Sequence, residues 1–366
     1  MRIVTVLPLK EGFSSAGIGA IGLLVKRLAQ RNDIIIGRFC KDTPYLKDQY
    51  YGIKQTWLSR FNKNRDYQKG VINRIKHLNP TIVEIHNCPR MARSISKIFP
   101  RIPVTLILHN DPLELGGTKK RKQRQCLINN VDIVAVSPWL KNRFLKNNVQ
   151  GMVTLIPNSL DLTEIPPFRS IFEREKTILF VGRVVADKGA DIFVKIGQRL
   201  IEHDSKWSIE LVGADRFTYS SKETPFIKTL RESLTPSSIK FTGYLSHNKV
   251  LEKMAQASLI IVPSRWAEPF GMTALEAMAC GTPLIVTCSG ALPWVVGKGG
   301  IVVESENEEA LYKTLLNLIY DKKKQEQLSK KALKRASQFS HVNIQNLLCN
   351  HRKRLSLLSK TMVRST

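Results

Sequence analysis

Two carboxylates separated by seven residues mark the segment of this sequence whose residue types are best suited to chemistry. Glu268 lies in a proline-bearing loop after an apolar run, and Glu276 lies a few residues beyond Gly271, where a helix is expected to begin. The free N–H groups of a helix start bind anions, and carboxylates accept hydrogen bonds from sugar or ribose hydroxyls. The same spacing fits an alternative without a ligand equally well. In that case one glutamate interacts favourably with the helix dipole and the other is simply exposed to solvent.

Two cations form a second candidate group. Arg183 and Lys188 follow a predicted strand that runs into Gly182, and a helix is expected directly after them. Fixed cations at the carboxyl edge of a sheet can stabilise a departing diphosphate without a metal. Two surface cations in a loop are the alternative interpretation.

The glycine-rich segment Ser14–Gly22 raises the possibility of a dinucleotide site, because it reads GxGxxG from Gly17. That fingerprint requires its first glycine directly after the strand and an acidic residue about 20 residues later. Asp42 meets the second requirement, but Lys10 to Ala16 separate the glycines from the first strand. We therefore predict a flexible loop. This loop either borders a bound ligand or only leads into the following helix.

Polar side chains follow further strands predicted in the first half of the chain. His109 ends an apolar run and can hydrogen-bond a ligand. A single histidine at a strand end is, however, more often a polar residue that ends the strand without a functional role. His86 occupies a similar context and ranks below His109. Ser137 and Asn158 follow two further predicted strands and could cap local structure.

The hydrophobic pattern predicts strands and helices in alternation, twice over. Strands are predicted in the first half at Ile3–Pro8, Ile34–Phe39, Ile82–His86, Val104–His109, Ile133–Val136 and Val153–Ile156, with helices near 20–31, 65–78, 119–129 and 138–147. In the second half, strands are predicted at Thr177–Val181, Ser208–Val212, Ile239–Phe241, Leu259–Val262, Leu284–Val286 and Ile301–Val303, with helices near 189–203, 223–234, 247–256, 272–279, 306–320 and 323–337. Such alternation predicts an α/β protein with two doubly wound parallel sheets, whose ligands bind at strand carboxyl ends in a cleft between domains.

The Pro-rich, charge-mixed segment 163–176 is the predicted linker between two domains. We place one Rossmann-like domain at 1–165 and the other at 170–340. A cationic helix from about 341 to 366 is expected to pack back on the first domain.

The charge of the chain indicates an anionic partner. Of its 366 residues, 57 are Lys or Arg and 30 are Asp or Glu, a net charge of +27, while 43% hydrophobic residues exclude a disordered basic tail. Nucleic acid, an acidic membrane and a phosphorylated substrate all fit. Residues 1–165 hold 27 of the basic and 11 of the acidic residues, hence +16 of the +27.

The six cysteines lack CxxC spacing, which argues against a disulfide framework or zinc and favours a reducing compartment. The apolar stretch Ile3–Leu9 is a poor signal peptide, and no run reaches the roughly 18 apolar residues of a spanning helix. Any membrane contact is therefore expected to be peripheral.

The segment from Glu268 through Gly271 and on to Pro283 resembles the E-x7-E signature of the family 4 retaining glycosyltransferases, also called glycosyl transferases group 1, which have the GT-B fold. The resemblance covers the C-terminal half and the general layout of the N-terminal half. It implies that Glu268 contacts donor-sugar hydroxyls, that Glu276 binds the ribose, and that backbone N–H groups of Gly271 and Met272 meet the sugar or diphosphate.

The same resemblance implies roles for other residues. Arg183 and Lys188 would bind the diphosphate, His109 would orient the sugar, and Gly17 and Gly19 would border the acceptor and the diphosphate. Phe270, Thr273 and Tyr244 would complete the donor site, with Ser264 and Arg265 nearby. Ser137 and Asn158 would line the crossover between the domains.

The implied activity is a metal-independent hexosyltransferase without a cofactor, in bacterial lipopolysaccharide or cell-surface polysaccharide synthesis. Its donor would be a UDP- or GDP-sugar and its acceptor a glycan or lipid-linked glycan. We expect a cytoplasmic protein, peripheral on the inner face of the cytoplasmic membrane, where the block Lys119–Arg124 and the basic residues Arg60, Lys63 and Arg65 would meet an acidic bilayer.

Other functions stay open at this point. An NAD-dependent oxidoreductase would use the glycine cluster, and a sugar-nucleotide epimerase shares the fold. A nucleic-acid-binding protein would explain the charge but not the Glu268–Glu276 segment, so no nucleic acid is expected as a partner.

Overall fold

The computed structural model describes residues 1–14, 17–56, 59–215, 223–232 and 239–364. The chain divides into two compact units, one of Met1–Ser159 with His341–Thr366 and the other of Leu160–Ser340. Ser15 and Ala16 of the glycine-rich segment, the last two residues of the helix predicted at 223–234, and the side chain of Arg60 lie outside the described residues.

The first unit contains a seven-stranded parallel sheet. Its strands and those of a small hairpin are β1 (Ile3–Val6), β2 (Phe13–Ser14), β3 (Gly17–Ile18), β4 (Ile34–Arg38), β5 (Tyr50–Ile53), β6 (Ile82–His86), β7 (Val104–Leu108), β8 (Asp132–Ala135) and β9 (Val153–Leu155). The order is β5-β4-β1-β6-β7-β8-β9, and β6 and β7 are buried throughout. The helices are α1 (Ala20–Leu28), α2 (Ser59–Leu78), α3 (Pro89–Ile98), α4 (Arg121–Ile128) and α5 (Pro138–Leu145). Apolar, β-branched runs form this sheet because parallel strands are buried on both faces.

The second unit repeats the architecture with a six-stranded parallel sheet. The strands are β10 (Glu175–Val181), β11 (Ser208–Val212), β12 (Ile239–Gly243), β13 (Ala257–Val262), β14 (Leu284–Thr287) and β15 (Ile301–Val303), in the order β12-β11-β10-β13-β14-β15. The helices are α6 (Ala190–His203), α7 (Pro225–Glu232), α8 (His247–Gln256), α9 (Met272–Ala279), α10 (Leu292–Val296), α11 (Glu308–Ile319) and α12 (Lys322–Ser337). The predicted α/β class with two doubly wound sheets is therefore confirmed.

The last helix, α13 (His341–Arg364), returns to the first unit. Its Arg352 is 3% exposed and donates to both carboxylate oxygens of Glu84 at 2.7 Å and to Asp33 at 3.0 Å. Burial raises the pKa of Asp33, and Arg352 opposes that shift. The buried charges attach α13 to β6 and to the residue that precedes β4 in the same unit.

Several short elements were not predicted. β5 is a four-residue edge strand containing Gly52, α3 begins with a proline at its first position, and α10 has five residues. The segment predicted as a flexible loop contains the β2–β3 hairpin. β5 and α10 carry too few residues for a clear hydrophobic period, whereas α3 has ten residues and was missed.

The basic block in the first unit is partly structural. Arg124 is 1% exposed and donates to the carbonyl oxygens of Thr118, Phe144 and Lys146. Arg121 donates to those of Asn147 and Asn148. Arg124 is therefore not available to a bilayer, contrary to the expectation for the whole block. Within the described ranges, no helix is both long and apolar enough to cross a membrane.

Candidate functional site

The loop after β13 and the start of α9 form the centre of the candidate site in the second unit. Gly271 precedes α9 with a φ of 103°, and a Cβ there would lie 2.5 Å from Leu292 Cδ2. Phe270 is 3% exposed and packs edge-on against Phe339, with 5.8 Å between ring centroids. The chain therefore turns sharply into α9, and Met272 and Thr273 supply N–H groups of its first turn.

Two side chains contact the same carboxylate oxygen of Glu268. Its side chain accepts a hydrogen bond from Ser264 Oγ at 3.0 Å and forms an ion pair with Lys188. Lys188 Nζ also lies 4.9 Å from the centre of the Trp266 ring, at cation–π distance. The structure thus brings together two residues that lie 80 positions apart in the sequence.

The cation-bearing loop docks on the carboxylate-bearing loop. Gly189 has a φ of 71°, and a Cβ there would lie 2.0 Å from the carbonyl oxygen of Pro263. Arg265 and Trp266 both donate their backbone N–H to Asp187 O at 2.9 Å. Arg183 is exposed in the same loop after β10.

Arg265 joins this loop to α6. Its guanidinium donates to both carboxylate oxygens of Asp191, at 2.6 and 2.8 Å, and these hydrogen bonds raise its pKa. Arg265 thus connects the carboxylate-bearing loop to α6.

Glu276 lies one turn into α9 and is 9% exposed. His247, the first residue of α8, approaches it with 2.9 Å between His247 Nε2 and Glu276 Oε1. Tyr244, after β12, is 55% exposed. The neighbouring Ser246 stands at the N-cap of α8 without a side-chain capping hydrogen bond.

A loop after β14, which the sequence did not single out, supports Glu268. Ala291 donates its N–H to Glu268 O at 2.7 Å, and Ser289 Oγ donates to Ser264 O at 2.7 Å. Gly290, at a φ of 60°, lies against the Glu268 backbone, where a Cβ would be 2.3 Å from its oxygen. In the sequence, the pair Ser289 and Gly290 after the strand predicted at Leu284–Val286 was the feature that could have indicated this loop. His247 was likewise given no role, although it precedes a predicted helix.

In the first unit, His86 and His109 form a pair. His86 Nδ1 lies 2.8 Å from His109 Nε2, and the two residues are 4% and 8% exposed. Burial, with a further contribution from Arg352, lowers the pKa of His86 to about 3. Burial and then His86 lower the pKa of His109 well below its usual value. Both imidazoles are therefore neutral at physiological pH.

The glycine-rich segment of the first unit is occupied by a carboxylate. Glu11 Oε1 accepts the N–H of Gly22 at 2.7 Å, and a Cβ on Gly19 would lie 2.3 Å from that oxygen. Gly17, by contrast, faces open space. Burial raises the pKa of Glu11, against the hydrogen bonds from the helix start.

Two remaining candidates differ in their roles. Ser137 Oγ accepts from Leu140 N at 3.2 Å and so caps α5. Asn158 Oδ1 is buried and makes no hydrogen bond of normal geometry with the described residues. Across the described ranges, no group of three or more His, Cys, Asp or Glu side chains could hold a metal ion.

Two doubly wound α/β units, the second with carboxylates and cations gathered around the start of α9, have the architecture of the GT-B fold. Residues 161–335 match the family model of the glycosyl transferases group 1. This segment, just under half of the chain, is therefore similar to that family.

Related proteins agree with this placement. An uncharacterized glycosyltransferase of Methanocaldococcus jannaschii is 30% identical over 247 residues, which are 65% of each chain. YtcC of Bacillus subtilis is 23% identical over 67% of this chain and 65% of that protein. The chain thus spans just under two thirds of the length of these curated relatives.

Solved structures share the fold over nearly the whole chain. Anabaena HepE in complex with UDP has a TM-score of 0.78 at 17% identity, covering 97% of this chain and 100% of that chain. Sucrose-phosphate synthase from Thermosynechococcus elongatus has a TM-score of 0.77 at 16% identity, covering 97% and 99%. At such identities the likeness concerns the fold alone.

Proposed function

We propose that the protein is a retaining glycosyltransferase that moves a sugar from a UDP- or GDP-sugar to a glycan or lipid-linked acceptor. The observation that carries the proposal is the cluster around the start of α9, where Glu268, Glu276 and Lys188 lie at strand carboxyl ends beside first-turn N–H groups. Carboxylates accept sugar and ribose hydroxyls, and the cation and the N–H groups suit a diphosphate. The UDP complex of HepE adds support for the donor class.

The ion pair between Lys188 and Glu268 suggests how the donor engages the site. A diphosphate carries more negative charge than a carboxylate, so it competes for Lys188 Nζ. Once Lys188 turns to the diphosphate, Glu268 is free to accept hydroxyls of the sugar. Ser264 keeps the Glu268 carboxylate in place during that exchange.

In the proposed reaction the bond between the anomeric carbon and the diphosphate breaks, and a bond to the acceptor hydroxyl forms. The acceptor proton passes to an oxygen of the leaving diphosphate. Arg183 and Lys188 stabilise the charge that the diphosphate gains, which is worth most in a site that excludes water. Neither step calls on a metal or a cofactor.

His109 of the first unit would orient a hydroxyl of the sugar or the acceptor. As a neutral imidazole it offers a hydrogen bond without adding charge. Gly17, which faces open space, leaves room for a substrate near the start of α1. Gly19 serves instead to admit the Glu11 carboxylate.

We further propose that the acceptor lies at an acidic membrane, as in lipopolysaccharide or cell-surface polysaccharide synthesis on the inner face of the cytoplasmic membrane. A groove of about 660 Å³ runs along the edge strand β5, and among its described lining residues none is acidic. Lys54 and Arg74 lie over the rings of Phe39 and Tyr51 in this groove. Cations combined with exposed aromatic rings suit the interface of an anionic bilayer.

A transfer assay tests the activity. The protein is incubated with UDP-, GDP- and ADP-sugars, and NMR follows donor hydrolysis and the anomeric configuration of the sugar released or transferred. We expect turnover of one donor with retained configuration. Inverted product would overturn retention, whereas binding of reduced nicotinamide without any donor turnover would favour an oxidoreductase.

A further inference from the structure

The histidine pair of the first unit couples the protonation of two rings. The rings stack with 5.1 Å between centroids and 10° between planes, and His86 Nδ1 contacts His109 Nε2. A neutral imidazole carries one proton on its two nitrogens, so one ring donates in this bond and the other accepts. The tautomer of His109 is therefore tied to that of His86.

The residue after His86 holds the backbone of His109. Asn87 Oδ1 accepts the N–H of His109 at 2.8 Å and that of Asn110 at 3.2 Å. Asn87 itself has a φ of 50°, a left-handed conformation that Asn tolerates. Two consecutive residues at the end of β6 thus hold His109 by its ring and by its main chain.

The surroundings of His86 disfavour an imidazolium. A cavity of about 30 Å³, large enough for about one water, is lined by Thr5 of β1, Glu84 and His86 of β6, and Arg352 of α13. Both oxygens of Glu84 are taken by Arg352, whose positive charge faces His86. The Asn158 side chain acts on the pKa of His109 as a hydrogen-bond partner, in the opposite direction to burial.

We propose that His86 is a positioning residue for His109. Its Nδ1–H donates to His109 Nε2, so the proton of His109 stays on Nδ1 and is presented to a ligand hydroxyl. Asn158 supports this direction of donation. Its buried Oδ1 has no other hydrogen-bond partner among the described residues and acts on the His109 ring as an acceptor would, and His109 Nε2 already faces His86, so the N–H that Asn158 can accept is Nδ1–H. The inference rests on the proposed function only for the identity of that ligand.

Nitrogen NMR of the intact protein tests the tautomer without any substrate. In the wild type we expect the tautomer of His109 that carries its proton on Nδ1, with Nε2 unprotonated. His86→Phe keeps a flat ring but no donor, so we expect a larger fraction of His109 to carry its proton on Nε2. His86→Asn keeps an N–H near the position of Nδ1 and should preserve the wild-type signals of His109, as should His77→Phe at an exposed histidine.

Kinetics supply a second readout. We expect His86→Phe to lower kcat about 10-fold and His86→Asn to restore it to within about 3-fold, with the KM for the donor little changed, as for other residues that orient a functional side chain. A wild-type His109 protonated on Nε2, or a His86→Phe spectrum and kcat equal to the wild type, would overturn the inference. If His86→Phe does not fold, the wild-type spectrum and the Asn variant still decide. Failure of the wild type to turn over any donor would contradict the proposed function and leave the NMR result to judge His86.

Discussion

At the scale of single residues, the site in the second unit depends on pairs that the sequence suggested only in part. Lys188 and Glu268 were singled out because each lies in a loop after a predicted strand, and parallel strands end at one edge of a sheet. Glu276 was singled out because it lies in the early turns of the helix that follows Glu268. Their partners were not predictable in the same way. The contact of His247 with Glu276 depends on how α8 and α9 pack, and sequence spacing does not specify that packing.

Glu276→Gln should weaken donor binding. The substitution keeps the shape of the side chain but removes the charge, and a hydrogen bond to a charged group is worth about 1.5–3 kcal/mol. We expect the dissociation constant of the nucleoside diphosphate to rise about 10- to 100-fold. Glu202→Gln, at an exposed position of α6, is the matched control in the same titration. Equal binding in both variants would remove Glu276 from the site.

Lys188→Met should act on turnover more than on binding. The cation stabilises charge that develops as the diphosphate leaves, and loss of one such group typically costs about 100- to 1,000-fold in kcat. Steady-state kinetics with the preferred donor measure this, with Lys206→Met as the exposed control. A variant that keeps more than about a third of the wild-type kcat would contradict the role.

The buried histidines should make stability fall in acid. The pKa of His86 is lowered to about 3 by burial and Arg352, so below about pH 6.5 the unfolded chain binds a proton that the folded chain does not. Stability is therefore complete above that pH and is lost as the pH falls, by about 1.4 kcal/mol per pH unit for each such histidine. Urea unfolding at pH 7.5 and 5.5 should show a smaller loss for His86→Phe than for the wild type. An equal loss would argue against a neutral His86.

At the scale of elements, tight turns bring the loops of the site together. The strand and helix alternation was predictable because each element is long enough to show its hydrophobic period. The loop Ser289–Ala291 was not, because its support of Glu268 arises only when β14 pairs with β13. Gly189 shows one such close approach, where the loop after β10 meets Pro263.

Gly189→Ala should disturb the site by separating these loops. Its Cβ would overlap a backbone oxygen, and the residue has a left-handed conformation that alanine disfavours. We expect a loss of about 1–3 kcal/mol in stability and weaker donor binding. Thermal unfolding and titration should leave Gly116→Ala unaffected, since a Cβ there makes only ordinary contacts at 3.6 Å. A Gly189→Ala variant with the stability and donor affinity of the wild type would contradict this role of Gly189.

At the scale of the whole molecule, the excess positive charge lies mainly outside the proposed donor site. Residues 1–165 carry +16 of the net +27, and the groove along β5 concentrates cations beside aromatic rings. The structure also shows which basic residues serve the fold, since Arg124 and Arg352 are buried among internal partners.

The protein should bind vesicles that contain anionic lipid and should leave neutral vesicles free. A Lys or Arg near such a surface contributes about 1 kcal/mol, so Lys54→Ala with Arg74→Ala should weaken binding roughly 30-fold at low salt. Sedimentation with vesicles measures this, and Lys298→Ala in the second unit is the control. Binding that is equal on neutral vesicles, or unchanged in the double variant, would rule out this surface.

The cluster at the start of α9 should bind a nucleoside-diphosphate sugar. Calorimetric titration of the protein with UDP-, GDP- and ADP-sugars measures this binding. We expect one of them to bind at a single site, and we expect Glu276→Gln to weaken this binding while Glu202→Gln leaves it unchanged. Absence of binding for every donor, or equal affinity in the wild type and Glu276→Gln, would contradict it.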